Sequence, residues 1–186
     1  MLIVGLGNPG PAYEHNRHNI GFMVTNELIS RYKAQNISSS SSFKGELFKF
    51  CEHFFLKPLT YMNLSGESIQ AVKNFYKIKQ VIVIHDDLDL PFGTLRFKFG
   101  GGHGGHNGLK SADEKISREY IRVRLGIGKP EHKGEVASYV LSDFNTLEQK
   151  HLGMWISHAC DAIDFLLHNS LEDTSSQFTI KKFQLK

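Results

Sequence analysis

A chain of 186 residues, 40% hydrophobic, 11% aromatic and 22% charged, carries enough apolar material for one domain with its own core and too much for a disordered chain. Its longest purely apolar run is four residues, Val81-Ile82-Val83-Ile84, which excludes a membrane-spanning helix. The net charge of +3 is unevenly spread: residues 91–134 hold 9 Lys and Arg against 4 Asp and Glu, and residues 135–186 hold 4 against 7. That middle segment reads either as a polyanion footprint or as a solvated charged face. Met1 runs straight into Leu-Ile-Val and glycines, without the basic and long apolar regions of a secretory signal. Cys51 and Cys160 form no Cys-x-x-Cys pair, so neither a disulfide framework nor a zinc knuckle is expected, and a cytoplasmic location is.

Taken in chain order, Leu2-Ile3-Val4 is a short buried strand, and residues 19–33 form a helix with Ile20, Met23, Val24, Leu28 and Ile29 at helical spacing. The serine run at 38–42 is a linker within the domain. Residues 43–50 and 54–57 pair as a hairpin around Glu52-His53. A helix over 65–77 places Ile69, Val72, Phe75 and Tyr76 on one side. Residues 81–84 follow as a strand covered on both faces, ending at the polar boundary His85-Asp86-Asp87. Residues 95–99 and 120–127 alternate as half-buried strands, with a glycine-rich loop and a helix over 108–117 between them. The longest helix covers 146–168, with Leu152, Ile156, Ala159, Ile163 and Leu166 on its stripe. The tail beyond Ser170 is polar and unassigned.

This alternation predicts a single-domain three-layer α/β/α sandwich over 1–186, around a mixed, mostly parallel twisted sheet. Ligands collect at the carboxyl ends of parallel strands. Asn8-Pro9-Gly10, His85-Asp86-Asp87 and the loop 100–108 each follow a strand, so parallel strands would bring all three to one rim.

Gly5-Leu6-Gly7-Asn8-Pro9-Gly10 formally matches the dinucleotide pattern Gly-x-Gly-x-x-Gly. It fits poorly: Pro9 has no N–H for a pyrophosphate, the helix starts well after the third glycine, and Glu27 falls inside that helix. In Asn16-Arg17-His18-Asn19, a histidine is suited to take a proton from water near neutral pH. His15 and His18 are also spaced like two metal ligands, and Asn16 or Asn19 would serve equally as a helix N-cap. In His85-Asp86-Asp87-Leu88-Asp89 a carboxylate beside a histidine would fix its tautomer, or three carboxylates would hold a divalent ion, or the string merely starts a turn before Pro91, and spacing does not choose between these.

Gly100-Gly101-Gly102-His103-Gly104-Gly105-His106-Asn107-Gly108 has six glycines in nine residues, which lets backbone amides approach a ligand closely. It lacks the Gly-Lys-Ser/Thr ending of a P-loop. Arg96 and Lys98 before it, and Arg122, Arg124, Lys129 and Lys133 after it, offer phosphate binders on both flanks; a flexible linker is the plain alternative. Tyr61-Met62-Asn63-Leu64-Ser65-Gly66 precedes a helix, so Asn63 or Ser65 is an N-cap, or an amide and a methionine line a groove. Neither Gly-x-Ser-x-Gly nor His-Glu-x-x-His occurs.

Together these strings resemble the bacterial peptidyl-tRNA hydrolase family: Leu2 through Gly10, Arg17-His18-Asn19, Met62 through Gly66, His85 through Pro91, Phe97 through Lys110 and Arg124 through Gly128, in the family's order. The resemblance implies a monomeric α/β enzyme that cleaves the ester joining a peptide to the 3′-terminal ribose of tRNA. It implies peptidyl-tRNA as partner, and no metal, cofactor or membrane. By position, His18 resembles the general base and Asp86 its carboxylate partner. Asn8, Asn63 and Asn107 resemble the amides that place peptide, water and tRNA end, and Tyr13 and Met62 look like groove-lining residues. Lys98, Arg124 and Lys133 stand where the family contacts phosphates, and Arg96 where another basic residue is common. Phe92 replaces a common proline, residues 34–44 follow no family motif, and the segment after Ser142 matches in general character only.

The chemistry expected is direct attack by water, without an acyl-enzyme, failing as pH drops through about 6.5. Two other readings stand beside it: a non-catalytic RNA-binding protein on the same fold, and a nicotinamide-dependent oxidoreductase.

Overall fold

Seven strands form one sheet in the computed structural model, which describes residues 1–186. In chain order these are β1 (Leu2–Gly5), β2 (Gln35–Asn36), β3 (Gly45–Phe50), β4 (His53–Pro58), β5 (Val81–Asp87), β6 (Leu95–Phe99) and β7 (Ile121–Gly126). The helices are α1 (Ile20–Tyr32), α2 (Ser65–Phe75), α3 (Asn107–Ile116), α4 (Val136–Val140), α5 (Thr146–Leu166) and α6 (Leu171–Phe178). Across the sheet the order is β2-β3-β4-β1-β5-β7-β6. β1, β4, β5 and β7 run parallel, β2 points the same way, and β3 and β6 run against them. The mixed, mostly parallel sheet is thus as expected.

Both faces of the central strands are buried because their side chains alternate between two apolar layers. Ile3, Ile82, Ile84, Val123 and Leu125 meet α1 and α5, with Trp155 and Ile163. Leu2, Val4, Leu56 and Val83 meet α2 and α3, with Ile69, Val72, Leu109 and Ala112. Glycines at the end of β1 and in α1 serve packing. A Cβ on Gly21 of α1 would lie 2.4 Å from the Ile84 carbonyl, and one on Gly5 would lie 2.1 Å from Thr25 Oγ1. Helix α1 therefore rides directly on β1 and β5, which brings its N-terminal turn to the carboxyl end of both strands.

Several expectations need correction. β5 does not stop at Ile84 but continues through Asp87, carrying His85 and Asp86 into the buried interior. α2 ends at Phe75, which is 66% exposed rather than on the apolar side, and Phe99 at the end of β6 is 60% exposed. Because β6 is antiparallel to β7, the glycine loop begins at the opposite edge of the sheet from the expected rim. It returns across the face of β7, where Arg122 holds the Gly101 and Gly102 carbonyls at 3.0 and 2.5 Å. Only then does it reach the carboxyl ends of β1 and β5. The tail has structure: α6 is followed by a strap in which Ile180 and Leu95 exchange both backbone bonds (2.9 and 3.0 Å) along the free edge of β6. Phe183 then packs on Phe92 and His151.

Candidate active site

His18 lies in the 3₁₀ turn Arg17–Asn19 that opens into α1, and Asp86 sits one residue before the end of β5. Folding brings them together: His18 Nδ1 is 3.0 and 2.9 Å from Asp86 Oδ1 and Oδ2. Asp86 is 2% exposed, so its charge acts through little solvent. A second imidazole shares it, with His106 Nε2 2.8 Å from Oδ1. His106 is the N-cap of α3, and its Nδ1 accepts from the Gly108 and Leu109 backbone N–H groups. That acceptor role leaves the ring proton on Nε2, facing Asp86. Two N–H donors thus converge on one carboxylate.

Burial alone would raise the Asp86 pKa, but His18 and His106 together hold it well below the carboxylate range. Burial also lowers the basicity of His18, yet the adjacent Asp86 charge and hydrogen bond outweigh it, and the His18 pKa ends above 6.5. With Nδ1 turned to Asp86, Nε2 is the nitrogen left for the groove. It bonds to no protein group and is not sealed from solvent. The facing nitrogens of His18 and His106 and the Asp86 oxygen lie within 4.8 Å of one another, close enough to share an ion. Hydrogen bonding already accounts for that spacing, and His15, the other metal-ligand expectation, is exposed and outside the cluster.

Asn16 and Asn19 stand at N-cap positions, the alternative reading of the sequence, but neither side chain bonds the helix backbone; both tie loops together. Asn19 clasps the Asn8 backbone, its Oδ1 accepting from Asn8 N–H and its Nδ2 donating to Asn8 O, each at 2.9 Å. Asn8 Oδ1 in turn accepts from the Met62 N–H at 2.7 Å, so its Nδ2 remains for a ligand. Met62 is buried beneath the start of α3, where a Cβ on Gly108 would lie 2.5 Å from its sulfur. Tyr13 and Tyr61 meet edge to face at 6.2 Å beside it, with Tyr61 at φ 63°. Asn63 is exposed and caps nothing, and Ser65 bonds back to the Met62 carbonyl instead.

A groove of about 420 Å³ opens over the His18–Asp86 pair. Asn107, Lys98, Arg124 and Lys133 line it; Arg96 does not. Of the cations expected to bind phosphate, Arg122 is spent internally, 3% exposed and bonded to Asp113 (3.1 Å) as well as to the glycine loop. Lys129 pairs with Asp89 at 2.8 Å, and Arg124 Nε donates to Asp87 Oδ2 at 2.8 Å. Lys98 and Lys133 are exposed. His106 was not singled out in the sequence, where it is one polar residue in a glycine string. Its only local signal is its place just before a helix.

A sequence model of the peptidyl-tRNA hydrolase family matches residues 2–186. The chain belongs to the peptidyl-tRNA hydrolase family. It is 70% identical to the peptidyl-tRNA hydrolase of Sulfurimonas denitrificans over the whole of both chains. With that of Sulfurovum sp. it shares 53% identity, over 98% of this chain and 97% of the other. The crystal structure of peptidyl-tRNA hydrolase from Acinetobacter baumannii superposes with a TM-score of 0.91 at 36% identity, covering 97% of this chain and 95% of that one. Within this family member, the buried carboxylate and its two imidazoles form the floor of the groove, and the cations stand on its walls.

Proposed function

We propose that the groove hydrolyses the ester joining a peptide, or an N-blocked amino acid, to the 3′-terminal ribose of peptidyl-tRNA, releasing free tRNA. The observation that carries this is the His18 imidazole, held through Nδ1 by a buried, ionised Asp86 with Nε2 left open to the groove. Such a ring takes a proton from water as the water oxygen attacks the ester carbonyl, an effect worth roughly 10²–10⁴ in rate. Asp86 stabilises the imidazolium that forms. When the tetrahedral intermediate collapses, the C–O bond to the ribose breaks and His18 returns its proton to the departing 3′-oxygen. No serine, threonine or cysteine lines the groove, which supports attack by water over an acyl-enzyme.

The amides of Asn8, Asn63 and Asn107 are assigned to placing peptide, water and tRNA end, with Tyr13 and Met62 along the peptide path. One such donor to a developing oxyanion is worth about 3 kcal/mol. Lys98, Arg124 and Lys133 are assigned to tRNA phosphates, with Arg96 in a supporting place behind them. The test is release of N-blocked amino acid from charged tRNA by the wild type and by His18→Ala. Loss of release in the variant, with tRNA binding retained, is expected. Binding without release by the wild type would instead favour a purely RNA-binding role, which predicts salt-sensitive association and no ester cleavage.

A further inference from the structure

The residue before the proposed base is fastened to the segment that follows the groove-lining residues of α4. Arg17 is 7% exposed and does not itself line the groove. Its Nη1 donates to Ser142 Oγ at 2.5 Å and to the Asp143 carbonyl at 2.8 Å, and its Nη2 donates to Glu148 Oε1 at 2.8 Å. The guanidinium lies 4.3 Å from the centre of the Tyr139 ring. The backbone joins in: Arg17 N–H donates to the Ser142 carbonyl at 3.0 Å, and Asn16 Nδ2 donates to Asp143 Oδ1 at 2.8 Å. Glu148 is held from both sides, because its Oε1 also accepts the Asn145 N–H in the capping box of α5.

All these partners lie in residues 139–148, the end of α4 and the turn into α5. In the same stretch of chain and just upstream, Lys133, Gly134, Val136, Ala137 and Val140 line the groove. One planar side chain thus bonds to three points just beyond the wall residues, Ser142, Asp143 and Glu148, while its own backbone continues into the base. A guanidinium fork holds such an arrangement with less loss of freedom than an ammonium would.

We propose that Arg17 is a positioning residue that couples the α4 wall to His18, so that a tRNA phosphate held at Lys133 and the orientation of the base are set by one device. This rests on the reading of the groove as the peptidyl-tRNA site. Removal of a purely structural ion pair would lower thermal stability and the folded fraction, leaving kcat and KM of the folded enzyme alone. Coupling moves both. A misplacement of about 1 Å at the base costs roughly 10²-fold in rate, and a detached wall presents Lys133 poorly.

The test is a double-mutant cycle on full-length N-blocked aminoacyl-tRNA, with concentrations corrected for folded enzyme: wild type, Arg17→Met, Lys133→Ala and the double variant. The expected result is a fall in kcat of about 10- to 100-fold in Arg17→Met. In the wild-type background Lys133→Ala should raise KM several-fold, and in the Arg17→Met background it should change KM little. Arg17→Lys, which keeps a charge and one or two of the bonds, should recover part of kcat. Additive KM effects, or an Arg17→Met enzyme with wild-type kcat, would overturn the coupling. If Arg17→Met does not fold, Arg17→Lys, which cannot hold all three acceptors at once, takes its place in the same cycle, judged by whether its KM effect and that of Lys133→Ala are additive. A wild type that releases no amino acid would remove the reading of the groove itself, an outcome separate from a wild type that is active but shows additivity.

Discussion

His18 illustrates how one contact sets a working range. With its pKa raised above 6.5 by Asp86, the base is neutral only above that value, so kcat/KM should fall as pH drops through a point higher than 6.5. Asp86→Asn removes the charge that raises it. The acid limb should then move to lower pH while the plateau falls by roughly 10³–10⁴, because the ring loses both its orientation and its counter-charge. Initial rates from pH 5 to 9 for both proteins check this, and an unmoved limb would separate the limb from His18. The contact between positions 18 and 86 was legible in the sequence only as chemistry. The histidine stood just before a helix and the carboxylate at a strand end, but 68 residues separate them, and no local pattern encodes that contact; only the family resemblance paired them. His106 was less legible still. What makes it a member of the site is a cap geometry that points one nitrogen at α3 and the other at Asp86.

At the scale of elements, periodicity served well wherever one face alone is buried, as along α1 and α5, and where a strand is buried on both faces, as along β5. It failed where polar residues are buried by partners far away in the chain. The sharp boundary at His85 reads as a strand end, yet β5 continues because Asp86 is satisfied by two histidines and His85 Nδ1 by the Asp86 carbonyl (2.8 Å). The tail failed for the opposite reason. Residues 179–183 carry no pattern of their own, since their partner is the free edge of β6 and a socket formed by Phe92, Gly93 and His151. Gly93 sits at φ 83°, and a Cβ there would come within 2.5 Å of the Phe183 ring. Phe183→Ala should therefore lower unfolding free energy by about 1–3 kcal/mol, the ring being only partly buried. Removing residues 179–186 should cost more, because it also bares the backbone of β6 to edge pairing. Urea titrations check the first expectation, and light scattering of the truncated chain checks the second.

Across the whole molecule the same charges divide between binding and stability. Arg122 and Arg124 both border the groove from β7 but differ in their fates: Arg122 is buried, bonded to Asp113 and the glycine loop, and Arg124 is partly exposed and paired with Asp87. Arg124→Ala should weaken tRNA binding and flatten the dependence of log K on log salt by about one unit. Arg122→Ala should leave that slope nearly unchanged and destabilise the fold by about 3–5 kcal/mol, since it takes the buried cation from Asp113 and the donors from the Gly101 and Gly102 carbonyls. Acid sensitivity follows from the buried imidazoles. His85 is driven down to about 4, first by burial and then by the nearby His106, so between pH 6.5 and 4 the unfolded chain takes a proton that the folded one refuses. Stability must fall across that window, by about 3 kcal/mol from this group alone. Asp86, with its pKa depressed, adds a loss in the same direction once pH drops below the ordinary carboxylate value. His18 acts in the opposite sense: its contribution is complete below pH 6.5 and fades as pH rises through its raised folded value. His85→Phe keeps a ring against His106 and removes the titration, so its urea midpoint should decline less steeply from pH 6.5 to 4 than the wild type's. Equal slopes for the two proteins would mean that His85 accepts its proton in the folded state, and that the acid lability lies with Asp86 and its partners.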